Sequence, residues 1–352
     1  MPLHETQRVT RRQTLLIGGG IVAAILLALL FGLSDVADLH RRAEEIRWIW
    51  VAWAALAGLF SHACIGLCQH ALLAALGKRL PTELVVRVSL VGSVVSRSLR
   101  SGGASGFAFI TWYFGRLGVS AHLVASMILG QLLLTNAVFA ALAVGGFAWL
   151  VSAPALLGVS AAPRGLIVGN AIVAGVLGVS FFAAWVTLAS ARLRAPWSRR
   201  IEQVGAWLGR RFKKPDFGAK AREHFDEAAE AVAKLIAGSE ASHAAWMWAI
   251  LRVAASLAAF WFCVVAADVK VGVAGVVLAY VLGKMAGTLS IIPAGIGIIE
   301  GSLVGTLHAV GAPIEAALLA ALLNRLAYHL VPMATALVLF GPLARRAARE
   351  AP

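Results

Sequence analysis

Long apolar stretches divide the chain, and charged residues gather at their ends. Residues 15–33, 48–76, 119–150, 165–188, 244–267 and 313–340 are each long enough to cross a bilayer core, which takes about 20 residues of helix. Two further apolar stretches break the pattern. Residues 88–118 contain Arg97, Arg100, Gly102, Gly103, Ser105 and Gly106. Residues 271–310 contain Lys284 and then Ser290, Pro293, Gly295, Gly297 and Glu300. Proline removes a helix hydrogen bond, and glycine loosens what remains. In lipid, irregular backbone survives only where protein covers it or where it lines a wet cavity. Both stretches therefore read as re-entrant hairpins, broken helices that enter and leave on one side.

One extended polar segment, residues 192–243, holds eleven Lys/Arg and seven Asp/Glu. Ile201, Val204, Trp207, Leu208 and Phe212 recur at helical spacing beside Arg210, Arg211, Lys213 and Lys214. That pattern predicts a helix lying on an anionic lipid surface. A second amphipathic helix is expected over residues 218–236.

Composition agrees with the pattern. The 352 residues are 60% hydrophobic and 14% charged, with mean hydropathy +0.83. A soluble domain is roughly 45–50% apolar and about 25% charged. The fold class is an all-α polytopic integral membrane protein. The net charge of +14 sits in segments beside the spans, which suits anionic lipid and not nucleic acid. Arg8, Arg11 and Arg12 precede the first apolar run without a small-residue cleavage site, so that run reads as an uncleaved span. Cys64, Cys68 and Cys263 lie in apolar stretches and read as packing residues.

Basic segments favour the cytoplasm. The N-terminus, residues 78–87, residues 192–234 and the final arginines share one face only if both irregular stretches are re-entrant. The expected layout is six full spans plus two hairpins in the cell inner membrane, with both termini cytoplasmic. It divides into a membrane half over 1–190, a basic linker over 191–243 and a second half over 244–352. The halves read as an inverted pair, since 295 − 102 and 311 − 118 are both 193 for the glycines at the two breaks and turns. Inverted repeats with broken helices near the midplane characterise many transporters.

The polar residues at the breaks are the candidate substrate contacts. Half-helix N-termini suit an anion, and Arg97, Arg100, Lys284 and Arg325 add full charges next to Gly102, Gly103, Ser290, Pro293, Gly295 and Gly297. Together they suit a phosphate-bearing lipid headgroup, anionic or zwitterionic. Glu300 pairs with Arg325 or Lys284, or counters a cationic headgroup. Asn324, Arg325 and Tyr328 lie well inside the last span. Arg116 and Arg252 read as snorkelling to the interface, and His62 as a packed, hydrogen-bonded histidine. No cofactor or metal is expected. The chain has no GxxxxGK[ST] to power transport. Gly301 and Gly305 form a GxxxG, read as a close helix contact.

Pro293-x-Gly295-x-Gly297-x-x-Glu300-Gly301, the Gly311 turn and Asn324-Arg325-Leu326 resemble the flippase-like family. That family comprises the transmembrane region of lysylphosphatidylglycerol synthases and its stand-alone relatives. Family members typically read Pro-Gly-Gly where this chain has Pro293-Ala294-Gly295, and Arg100-Ser-Gly-Gly is a looser match in the first half. The resemblance implies lipid translocation between leaflets, with Glu300 and Arg325 as the matching polar pair. Synthase members carry a cytosolic aminoacyl-transferase domain after this region. Here the sequence ends at Pro352, so the expectation is a lipid flippase or transporter without its own ATPase. The alternatives are the membrane half of a split synthase with a soluble transferase partner, or a scaffold for lipid or glycan synthesis.

Overall fold

Every regular element among the described residues is a helix. The structure is a computed structural model that describes residues 36–98, 104–152, 190–211, 216–236, 240–289 and 295–349, with scattered positions between 168 and 187. The expected span at 15–33 lies outside these residues, as does most of the span at 165–188.

The helices are α1 (Val36–Glu44), α2 (Trp48–Ala75), α3 (Thr82–Ser98), α4 (Ala104–Arg116), α5 (Ala121–Ser152), α6 (Ala191–Arg211) and α7 (Phe217–Ile236). They continue with α8 (Glu240–Ala266), α9 (Val273–Leu289), α10 (Ile298–Ala309), α11 (Ile314–Arg325) and α12 (Val331–Arg349). A π turn over Leu326–Leu330 joins α11 to α12. Among the described residues, four segments are long and apolar enough to cross a membrane: Trp48–Ala75, Ala121–Gly146, Ser242–Ala266 and Ile314–Leu343. The protein is an all-α, multi-pass membrane protein.

Both irregular stretches form a helix, a break and a second helix packed back on the first. In the first, a Cβ on Gly106 would lie 2.5 Å from the Gly92 carbonyl oxygen, and Ser105 Oγ donates to Val95 O at 3.2 Å. In the second, a Cβ on Gly283 would lie 2.6 Å from Leu303, and one on Gly287 2.7 Å from Ile299. Glycine at these points lets the antiparallel helices approach closely. The first hairpin begins at Thr82, earlier than residue 88. Glu83 and Arg87 form an ion pair one turn apart, so Arg87 rides on the helix. Pro81 sits just ahead of the first turn, where its missing N–H leaves no bond unmade.

The elements recur at a fixed spacing. For α3 and α9, 273 − 82 and 289 − 98 are both 191. After the breaks, 309 − 116 and 314 − 121 are both 193, so the second hairpin is two residues longer. The turns after the hairpins share their closing bonds. Val119 N–H donates to Phe114 O at 3.0 Å, and Ala312 N–H to Leu307 O at 3.0 Å. Gly118 and Gly311 hold positive φ, 73° and 100°, which closes each helix in a Schellman turn.

Equivalent helices α2 and α8 run antiparallel and share the most extensive interface among the described elements. Arg47 N–H donates to Ala266 O at 3.3 Å, Ser61 Oγ to Arg252 O at 3.0 Å, and Cys68 Sγ to Ala245 O at 3.5 Å. Each step forward along α2 is matched by an equal step back along α8. Other contacts come in exchanged pairs: α8 meets α5 as α2 meets the π turn, and α9 meets α5 as α3 meets α12. These are the contacts of an approximate two-fold axis through the crossing of α2 and α8.

One expectation changes at this level. Cβ atoms on Gly301 and Gly305 would meet open space, so this GxxxG makes no close contact among the described residues. The packed face of α10 carries Leu303, Val304 and Leu307. The mixed-charge link before α2 folds as α1, with Asp38 paired to Arg41 and Arg42 one turn on.

Candidate functional site

Two cavities with polar side chains in their walls adjoin the two-fold axis, and Arg252 lines both. The larger, about 540 Å³, is walled by α2, α3, α4 and α5; its polar lining includes Gln69, Ser89, Ser93, Ser96 and Gln131. The smaller, about 140 Å³, is lined by Thr135, Asn136, Ser256, Tyr280, Lys284, Thr288 and Tyr328, among others. Ile65, Ser89 and Ser93 line the first, and their counterparts 191 residues on, Ser256, Tyr280 and Lys284, line the second. Three positions of one lining thus recur in the other.

Arg252 stands at mid-helix in α8, half-buried, and its Nη1 donates to Thr135 Oγ1 at 2.8 Å. The snorkelling expected for it is therefore absent. Arg116 is exposed, with its guanidinium 4.9 Å from the Trp112 ring centroid.

Lys284 extends over aromatic faces, 4.1 Å from the Tyr328 ring centroid and 5.5 Å from that of Tyr280. A cation over such faces is attracted by the ring quadrupole. Tyr328 sits in the π turn, its OH 3.4 Å from Ser61 Oγ. Proline at 332 explains the turn: it lacks the N–H that would bond the Tyr328 carbonyl, and Val331 N–H reaches back to Leu326 O instead. π turns inside α-helices recur at functional sites. His62 Nδ1 donates to Gly58 O at 2.8 Å and its ring packs on Tyr328, a structural role.

Glu300 and Arg325 are partners. Arg325 Nη1 lies 3.1 Å from Glu300 Oε1, with the side chains only 17% and 4% exposed. Glu300 Oε2 also accepts from Gly297 N–H at 2.7 Å, which satisfies a free donor at the start of α10. Gly295 and Gly297 hold positive φ, 60° and 84°, as the break requires. The pair lines neither cavity. Its counterparts 193 residues earlier are Phe107 and Leu132, which do line the larger one. An ion pair thus fills the place that stands open in the first unit. Asn324 is half-buried beside Arg325. Arg97 lies in the last turn of α3. Arg100, Gly102, Gly103, Ser290 and Pro293 lie outside the described residues.

The profile described as "Lysylphosphatidylglycerol synthase TM region" matches residues 15–336. The chain belongs to this family. No curated protein matches it at a significant level. Membership in the lysylphosphatidylglycerol synthase TM region family ties the chain to membrane proteins of lipid modification or transport.

The sequence reading missed Arg252 and the amides of the larger cavity. Gln69 Nε2 donates to Gln131 Oε1 at 3.0 Å, and Ser89 Oγ bonds Gln69 Oε1. Such amides inside apolar helices were the available signal, because buried polar groups in a span need partners.

Proposed function

We propose that this protein moves a polar-headgroup lipid between the leaflets of the cell inner membrane. The observation that carries the reading is Arg252, one arginine beside the two-fold axis that lines both cavities. An arginine holds a phosphate through paired, charge-assisted hydrogen bonds. A headgroup entering either cavity meets the same ligand, and the other cavity adjoins it. Lys284 adds a second cation on one side.

In this reading the Glu300–Arg325 pair is a gate. It closes the second unit where Phe107 and Leu132 leave the first unit open. Two packings of equivalent elements about an axis are what alternating access requires. Breaking the pair while the first unit closes would expose Arg252 to the other leaflet.

The basic linker favours the cytoplasmic face with both termini. There α6 and α7 pack as an antiparallel hairpin, tied by Arg222 to Glu202 at 2.9 Å and by Ser198 to Asp226. Trp197, Val204 and Trp207 stay exposed on α6 beside Arg200, which suits an anionic leaflet. Pelleting the tryptophan-to-serine variants of the excised hairpin with anionic vesicles tests this; binding equal to the parent's would remove it.

The function is tested by leaflet-selective labelling of lipids in a strain lacking the protein. The expected result is one phosphate-bearing lipid class stranded on its side of synthesis. An unchanged distribution of every class, alongside loss of a modified lipid, would favour a role with a soluble transferase.

A further inference from the structure

The linker hairpin meets the spanning helices at a cluster of donor atoms that lipid movement leaves unused. His122 stands in the first turn of α5, and His224 and Glu227 stand three residues apart on one face of α7. One donor atom from each falls within 4.8 Å of the others. His122 Nδ1 lies 3.5 Å from Glu227 Oε2, and His224 Nδ1 lies 3.6 Å from the same oxygen. The two rings face each other, 6.3 Å between centroids and 19° from parallel.

These distances suit a small cation. Zinc binds His nitrogen and carboxylate oxygen at about 2.0–2.2 Å in tetrahedral geometry, which sets neighbouring donors roughly 3.3 Å apart. Two of the three edges are already near that length. His122 Nε2 lies 3.2 Å from Ser120 Oγ, which gives a metal-bound His122 a partner for its other ring N–H. A ligating His usually donates its other ring N–H in this way. The three side chains are partly exposed, 34%, 55% and 43%, so a water has access to the fourth position.

We propose that His122, His224 and Glu227 bind a divalent transition-metal ion of the zinc class, which pins the linker hairpin to the start of α5. Two imidazoles and one carboxylate form a donor set that favours zinc over magnesium or calcium. The ion joins residues about a hundred positions apart in the chain and so couples the hairpin to α5.

The test uses the full chain in detergent, with its affinity tag removed, dialysed against buffered zinc at micromolar free concentration. Metal content is then read by mass spectrometry. The expected result is one zinc per chain, lost in His122→Ala, His224→Ala and Glu227→Gln and kept in His40→Ala. Ser120→Ala should weaken binding roughly 10–100-fold, the usual effect of losing a ligand's hydrogen-bond partner. No zinc on the parent chain would overturn the proposal, since that measurement needs no variant to fold. Equal zinc on the parent and on the three ligand variants would overturn it too.

Discussion

Ser61 and Arg252 are counterparts in the two repeated units, since 252 − 61 is 191, and they touch. Ser61 Oγ donates to the Arg252 carbonyl at 3.0 Å. The small residue on α2 leaves room for Tyr328 to approach, and the large one on α8 sends its guanidinium between the two cavities. One position of a symmetric pair is thus structural, and its counterpart carries the charge.

The Glu300–Arg325 pair gives the first prediction. Breaking a buried pair by removing one partner costs about 3–5 kcal/mol, because the other charge stays buried alone. Glu300→Gln and Arg325→Gln should each lower the thermal midpoint and the yield. Glu300→Phe with Arg325→Leu copies the first unit and should recover stability but not transport. Charge exchange, Glu300→Arg with Arg325→Glu, should recover less, because Glu300 also caps Gly297. Thermal unfolding of the purified variants decides; a single variant as stable as the parent would remove the pair from the account.

The crossing of α2 with the π turn gives the second. A Cβ on Gly58 would lie 2.9 Å from the Ala327 carbonyl oxygen and 3.3 Å from Tyr328 Cα. Backbone cannot yield as a flexible side chain does, so Gly58→Ala should destabilise by about 1–3 kcal/mol. It should also displace Tyr328 and reduce transport. Gly115→Ala, which meets open space, serves as the control. Equal thermal midpoints for the two variants would contradict the packing.

The orientation of the linker gives the third. On a background without native cysteines, Lys270→Cys, at an 86% exposed position in the turn after α8, should react with an impermeant thiol reagent added from outside. Ala219→Cys, on α7, should not. Labelling at position 219 would put the basic linker on the external face and reverse the proposed topology.

Much of the fold was legible because membrane helices announce themselves by length and composition. The break at Gly295 and the turns at Gly118 and Gly311 were legible, since glycine at a turn is forced by local geometry. The Glu300–Arg325 pair was legible as one of the possible pairings, because charges inside spans need partners. The cavities were not. Whether Arg252, Gln69 or Gln131 faces lipid, protein or water depends on how α2, α5 and α8 are rotated against one another. The apolar pattern of a span hardly encodes that rotation, because both lipid-facing and buried sides are hydrophobic. The repeat helped only after the structure showed that Phe107 and Leu132 stand where Glu300 and Arg325 stand in the other unit.

The most direct test of the account is translocation of a labelled lipid by the purified chain in vesicles. Fluorescent phosphatidylglycerol placed in both leaflets is quenched from outside, so the inner pool disappears only as it crosses. The account predicts that the parent chain speeds this loss over protein-free vesicles. Arg252→Gln should slow it roughly ten- to hundred-fold, the loss of a charge-assisted contact of about 1.5–3 kcal/mol, while thermal stability stays near the parent's. Equal rates for the parent and Arg252→Gln, or no rate above the empty vesicles for either, would contradict it.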